Sequence, residues 1–494
     1  MTDHSNTAAL QVKQVIVPVS ACIAFCTVMY VTECSNPAII AGIAALPLLC
    51  WLLFARTNLI LFALFALIPV SVPYRTGSGV VIGLPSEALA AILAVYLLVI
   101  SMIRPVFSRA ILRHPLVILI VAEAAWMLLC SLFSADPLVS LKRVLMRALF
   151  IQVFLLFGIH LFSRNENRVT HLYVLYAAGM IWPVIHSYLF HRDFNFSRSA
   201  AYKMCEPFYT DHTIYGACLA FVIPMLVLIV FGNHIVRLRS YKYILVTALT
   251  FLMVAALVLS FSRAAWISVL IAFLFGGLLM MRIKLRSIIV FLLAAGLCTY
   301  IYSDQIYQTI SENESVSTKG DLSDHLLSSA NVQSDASNTE RINRWLCAWR
   351  MALDRPVTGF GPGMYQFEYG RFQDRGHMTR ISTFSGSKGH AHSEYFTPLS
   401  ETGFPGALLF LAIVLSVIGY GMKVIYNETD KRTKLLLYGA VLGLVTFYVH
   451  GIFNAFLDSD KMAVLVFGSI AVIVAADLRQ KNARGSAVGS SSGA

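Results

Sequence analysis

The sequence predicts an all-α polytopic membrane protein of about 12–14 transmembrane helices, on three observations. Hydrophobic residues make up 57% of the 494 and charged residues only 13%. With a mean hydropathy of +0.71, this is more apolar surface than a soluble domain buries. Apolar runs of membrane-spanning length recur along the chain. The loops between them alternate, one set rich in Lys and Arg and the other poorer in them, as expected of a chain threaded back and forth through a bilayer. The formal charge of +12 would suit a nucleic-acid binder if the bases clustered in a soluble domain. They lie instead in short loops, so no nucleic-acid partner is expected.

Taken in order, the first 14 residues are polar. The run over 15–31 is longer than a signal-peptide core, has no small-residue cleavage site, and reads as a retained first helix. Further spans are expected at 37–54, 58–72, 85–103, 115–133, 144–162, 170–190, 214–232, 242–260, 264–281 and 286–302, then at 404–422, 434–453 and 461–477. With the N-terminus in the cytoplasm, the loops at 104–113, 164–168, 237–242, 282–286 and 423–434 and the 479–484 tail all fall inside, and all are rich in Lys and Arg. Lys142, Arg143, Arg192, Arg198 and Lys203 fall outside against this rule, unless they face an anionic substrate. The organisation is therefore 1–302 with helices 1–11, a large outer loop at 303–397, C-terminal helices at 398–478, and a cytoplasmic tail at 479–494. The Gly/Ser/Ala-rich residues 485–494 are expected to be disordered.

The nine cysteines lack CxxC or Cys/His spacing and read as small core residues, so no metal site follows from them. Cys205 and Cys347, both in outer loops, could pair. Within the large loop, 311–338 is rich in Ser, Asp and Asn and is expected to be mobile. Ser337-Asn-Thr-Glu340 matches a capping box. Ile342, Trp345, Leu346, Trp349 and Leu353 then recur at helical spacing as one apolar stripe, with Arg341 and Arg344 on its flank, until Pro356 ends the helix.

Four elements with chemical potential meet on the outer face. Arg263, in Phe261-Ser262-Arg263-Ala264, sits at a tight hairpin between two spans, where a charge is costly unless it finds a partner; the bland reading is a lipid-phosphate anchor. Arg341 and Arg344 form a second element, which is otherwise a solvated face. His390-Ala-His392 is the third. A lone His is usually a surface residue, and a metal site would need Glu394 or Glu401 as further ligands. A general base suits the pair better, because the ordinary imidazole pKa lies near working pH. Asp211, in Tyr209-Thr-Asp211-His212-Thr-Ile-Tyr215, is the fourth; it could hold an Arg or a sugar hydroxyl, or simply cap a helix.

The order of blocks in this region resembles the signature of the O-antigen ligase and polymerase superfamily. The matching residues are Arg341-x-x-x-Trp345, then Pro356-x-x-Gly359-x-Gly361-x-Gly363, then His392-Ser393 followed by nine residues and Gly403-x-x-Gly406. Ser262-Arg263 resembles the upstream Ser-Arg signature. The N-terminal half is similar only in hydropathy and loop style, and about fourteen spans exceed the dozen typical of ligases. The resemblance implies a GT-C-like membrane glycosyltransferase of the bacterial inner membrane, working on the periplasmic face without a metal or other cofactor. It implies an undecaprenyl-diphosphate-linked glycan as donor and lipid A-core, or a second lipid-linked glycan, as acceptor. Arg263 and Arg341 would then stabilise charge developing on the diphosphate, with His392 as general base. Arg344, His390, Ser393, Glu394, Asp211, Tyr215, Gly361 and Gly363 are candidate substrate-binding residues. The Gly/Pro block would let backbone approach the glycan closely.

A flippase or transporter for the same lipid-linked glycans is the competing class. It predicts charged or broken helices at the bilayer midplane, whereas here Glu123 is the main charge inside the expected spans. Among enzymes, a ligase is favoured over a polymerase. A protein O-glycosyltransferase usually carries further extracytoplasmic sequence after its last helices.

Overall fold

A computed structural model of the chain describes residues 51–53, 55–75, 81–196, 198–301, 336–373, 382 and 390–491. The first expected span, nearly all of the second, and residues 311–335 lie outside the described residues. The described residues hold nine helices long and apolar enough to cross a membrane. Thr57–Val70 and Pro115–Ser131 are shorter apolar helices at two further expected spans, and the 17-residue helix Leu285–Ile301 falls at a third. The chain is an all-α, multi-pass membrane protein.

Helix ends follow the local sequence. Asp136, Asp211 and Asp430 each accept backbone N–H bonds as N-caps. Pro115 and Pro137 stand at the first helical position, where a missing N–H costs nothing. His212–Phe231 and Lys431–His450 run antiparallel at the centre, beside the deeply buried helix Asp460–Arg484. Ser86–Ile103, Ser240–Leu259 and Arg263–Met280 lie at the periphery, with Leu98, Leu245, Phe251 and Leu270 exposed as lipid-facing side chains.

The structure departs from the sequence reading in four places. The end of the expected span 58–72 and the stretch that follows it form an antiparallel hairpin, Val72–Arg75 with Val81–Leu84, that pairs Pro73 with Gly83. The Arg/Trp helix runs Ala336–Asp354, so it begins before Ser337, which is not its N-cap. Glu340 turns instead to Arg344 and the Ser382 hydroxyl. The buried face of this helix is Glu340, Asn343, Arg344, Cys347, Ala348, Met351 and Ala352, while Trp349 and Leu353 of the expected apolar stripe are exposed. Small side chains permit close packing on the protein side and leave the tryptophan toward the membrane surface. The C-terminal helix is continuous from Asp460 to Ser491, carried by the helix-forming Leu478-Arg-Gln-Lys-Asn-Ala-Arg484 run into the tail expected to be disordered. Cys205 and Cys347 are buried and are not joined in a disulfide.

Candidate active site

The site is built on a broken helix. Gly403, at φ 69° and ψ −172°, interrupts Phe396–Asn427 two residues before Pro405. Pro405 has no N–H to offer the carbonyl of Glu401, and the Gly/Pro block supplies the replacement. Gly361 N–H donates to Glu401 O at 2.9 Å, Phe360 N–H donates to Ser400 O at 3.1 Å, and Phe404 N–H donates to Pro356 O at 2.8 Å. A Cβ at Gly403 would collide with the carbonyl of Val357, and one at Gly359 with the backbone of Glu401. The two glycine motifs thus exist to let these backbones touch one another. Gly361 packs on Ser134 and Ser140, and Gly363 is the glycine of the block that lines the cavity described below.

The Arg/Trp helix holds the histidine segment against this kink. The Arg344 guanidinium is buried, bonded to Glu340 at 2.7 Å and stacked over Tyr369 at 4.8 Å, and it donates to the carbonyl of His390. Trp345 Nε1 donates to the carbonyl of His392 at 3.3 Å and its ring stacks on Phe396. Arg344, expected to offer a free guanidinium, is therefore committed to the fold. Its neighbour Arg341 is only part-buried.

His392 lies in the left-handed region at φ 50°, a conformation that non-glycine residues keep only when their surroundings impose it. Its N–H donates to Nδ1 of His390, and the two rings are 3.9 Å apart. Burial first, then the nearby arginines, lowers the His390 pKa to about 4. Burial, His390, Arg344 and Arg341 push that of His392 well below its ordinary value. Both are neutral at pH 7. Ser393 is buried, and its hydroxyl accepts from Tyr395 N–H. Glu394 Oε1 accepts from the N–H groups of Phe456 and Leu457, clamping the loop 451–459. Burial, with Asp458 nearby, raises the Glu394 pKa to about 7.

Beside this segment opens a cavity of about 390 Å³, whose walls include His390, Glu401, Asp211, Arg143, Asp458 and Lys461. Every wall segment comes from a stretch that the sequence reading places on one face of the membrane. Asp211 caps the helix His212–Phe231, accepting from Thr213 and Ile214 N–H, and still lines the cavity. Asp458 bonds Arg143 at 2.6 Å and Arg147 at 3.0 Å. Burial works to raise its pKa, and the two guanidiniums more than offset this, holding it below the usual carboxylate range. Lys461 Nζ is enclosed by the Ile68 and Ser71 carbonyls and the Ser71 hydroxyl.

Behind Tyr209 lies a second, apolar groove of about 330 Å³ between the helices Val169–Asp193 and Ser240–Leu259. Tyr215, a candidate substrate-binding residue, lines this groove, edge-on to Tyr209 at 5.4 Å. His191 of the groove meets Phe261, two residues before Arg263, so Arg263, first residue of its helix, stands near the outer end of the groove.

The structure thus gathers His390, His392, Arg341, Asp211 and Arg263 at one end of the bundle. Sequence reasoning missed Arg147, Asp458, Lys461, His450 and Asn454, and met Arg143 only as one of the bases falling outside. The available signals were an Arg inside an expected span (Arg147) and the polar turn Asn454-Ala-Phe-Leu-Asp458-Ser-Asp-Lys461, read only as a connection.

No curated protein matches the chain. The O-antigen ligase family model matches residues 248–411, a segment that contains Arg263, Arg341, both glycine blocks and the His390–His392 pair. That match places an O-antigen ligase domain in this part of the chain and supports its assignment to the O-antigen ligase and polymerase superfamily.

Proposed function

We propose that the protein transfers a glycan from undecaprenyl diphosphate to an acceptor sugar hydroxyl on the periplasmic face of the bacterial inner membrane, with both chain termini cytoplasmic, and that it is an O-antigen ligase whose acceptor is lipid A-core. The observation that carries this reading is the meeting of a neutral histidine pair and Arg341 beside a polar cavity, with an apolar groove one aromatic pair away. The groove suits a polyprenyl tail and the cavity suits a glycan. Arg263, near the outer end of the groove, and Arg341 suit the diphosphate between them.

In this mechanism the acceptor oxygen attacks the anomeric carbon, the sugar–phosphate bond breaks, and its electron pair leaves with the diphosphate. Arg263 and Arg341 stabilise that charge as it develops. His392 takes the hydroxyl proton, a contribution of about 10²–10⁴-fold. His390, which faces the cavity, orients His392 and holds the acceptor. Arg344 and Glu394 act as positioning residues through the backbone contacts described above. Direct attack inverts the anomeric centre.

Deleting the protein and analysing surface glycan tests the reading. A ligase leaves lipid A-core without polymer. Single repeats on lipid A-core in place of polymer would make the protein a polymerase, and unchanged glycan would exclude both.

A further inference from the structure

A second set of buried polar groups lies beside His392 and has no part in the reaction as proposed. His450 ends the central helix Lys431–His450 and is 1% exposed, and neither ring nitrogen has a hydrogen-bond partner among the described residues. Asn454, just past the turn that follows, is 2% exposed, and its amide nitrogen is in the same condition. The Asn454 side chain lies close to the ring of His392, whose Nδ1 likewise has no described partner. The charged groups that bear on His450 are Arg341, Asp211 and His212, all from the candidate site.

Buried polar atoms are almost always satisfied in a folded protein, so several unsatisfied ones in one place call for a ligand. Their chemistry limits what that ligand can be. A neutral imidazole has one donor and one acceptor, and an amide nitrogen has donors only. A phosphate anion is chiefly an acceptor and an ammonium only donates, so neither matches this mixture well. Adjacent hydroxyls on a sugar ring both donate and accept, and do use it. We propose that His450 and Asn454, with Nδ1 of His392, form a hydroxyl-binding subsite for a neutral sugar ring, and that this ring is the terminal residue of the acceptor. The inference rests on the glycosyltransferase reading above. It adds that the residue presenting the attacking hydroxyl is held by its neighbouring hydroxyls, next to the proton-accepting histidine.

Two measurements on the full-length protein in lipid nanodiscs test it. The first is binding of methyl glycosides of glucose, galactose, mannose and N-acetylglucosamine, followed by saturation-transfer NMR, with inorganic phosphate as the contrasting probe. At least one glycoside should bind wild type and bind His450→Leu and Asn454→Leu at least tenfold more weakly. His450→Gln, which keeps a donor and an acceptor, should recover most of the loss. Monodeoxy analogues of the bound sugar guard against a folding artefact: one of them should bind wild type tenfold more weakly yet bind His450→Leu no worse than the parent sugar does. Failure of all four glycosides to bind, or equal binding by wild type and both leucine variants, overturns the subsite and leaves ordered water as the partner of these groups.

The second measurement is transfer from a lipid-diphosphate glycan to lipid A-core isolated from the deletion strain. The leucine variants should raise the acceptor KM at least tenfold with donor affinity unchanged within twofold. A loss of donor affinity instead would move the sugar to the donor side and overturn the acceptor assignment. Sugar binding that responds to the variants in a protein that transfers nothing would sink the glycosyltransferase reading alone. Normal transfer with an unmoved acceptor KM would sink the subsite alone.

Discussion

His392 has a left-handed backbone, a ring 3.9 Å from a second imidazole, and a pKa held well below the ordinary value by burial, His390 and its cationic neighbours. It is unprotonated and open to a proton at working pH, though a weaker base than a free imidazole. The expectation that it titrates near its unperturbed pKa is corrected by this environment. A pH–rate profile for transfer in nanodiscs should therefore be flat around neutral pH, with its acid limb well below the ordinary imidazole range; an inflection near the ordinary imidazole pKa would point to an exposed histidine. His392→Ala should leave donor binding intact and cut transfer by about 100-fold or more. If His390→Ala shows that larger loss and His392→Ala does not, the roles exchange. Arg341→Lys keeps the charge but loses the planar fork, and Arg263→Ala loses both. Each should lower transfer by at least tenfold, scored against donor binding. Near-normal transfer in Arg341→Lys would reduce that arginine to a surface group.

Glu394 carries a different consequence. Oε1 accepts both backbone bonds from the 456–457 segment, leaving Oε2 free to carry a proton. The pKa is about 7 in the folded protein, above the ordinary 4.5. A raised acid binds its proton more tightly in the native state, so stability is fully present below pH 4.5 and declines as pH rises to about 7. The melting temperature of purified protein should fall by about 5 °C over that window from this group. Glu394→Gln, which keeps the acceptor and cannot ionise, should remove that component. An unchanged slope would show that another group sets it.

At the scale of elements, the glycines of two distant motifs are one structure. The kink at Gly403 frees the carbonyls of Ser400 and Glu401, and the block around Gly359 and Gly361 takes them up. Gly403→Ala places a Cβ against the Val357 carbonyl at a positive φ. It should cost about 2–4 kcal/mol, combining backbone strain with lost hydrogen bonds, read as a lower melting temperature and reduced transfer. Ala at the helical position Gly277, where a Cβ meets nothing within 4 Å, is the control and should melt as wild type does. If the two variants melt alike, the block and the kink do not depend on each other.

On the scale of the whole molecule, the cavity walls come from the segments around 71–87, 208–214, 363–366, 390–401 and 455–461. Alternating in and out along the chain puts all of them on one side. Labelling with a membrane-impermeant thiol reagent, in a background without native cysteines, gives the orientation. Asp354→Cys, exposed at the end of the Arg/Trp helix, should label from outside, and Lys431→Cys should stay protected. The reverse pattern would put the site in the cytoplasm and remove the periplasmic reading.

The sequence by itself determined the membrane class, the positions of the spans within the described residues, and the blocks proposed here to carry chemistry. Hydropathy and loop charge are local sums, and motif spacing is a property of the chain alone. Only the tertiary structure decided what each polar residue faces. Arg341 and Arg344 are three residues apart and look equivalent in sequence, yet Arg344 is spent on Glu340, Tyr369 and the His390 carbonyl. Asp458 and Arg143 are 315 positions apart and form one wall of the cavity. His450 reads as the polar end of an apolar span until the fold buries it with both ring nitrogens unpartnered among the described residues and within the fields of Arg341 and Asp211. The direction a side chain takes depends on which helices pack beside it, and in this bundle those neighbours lie far along the chain, where no local pattern records them.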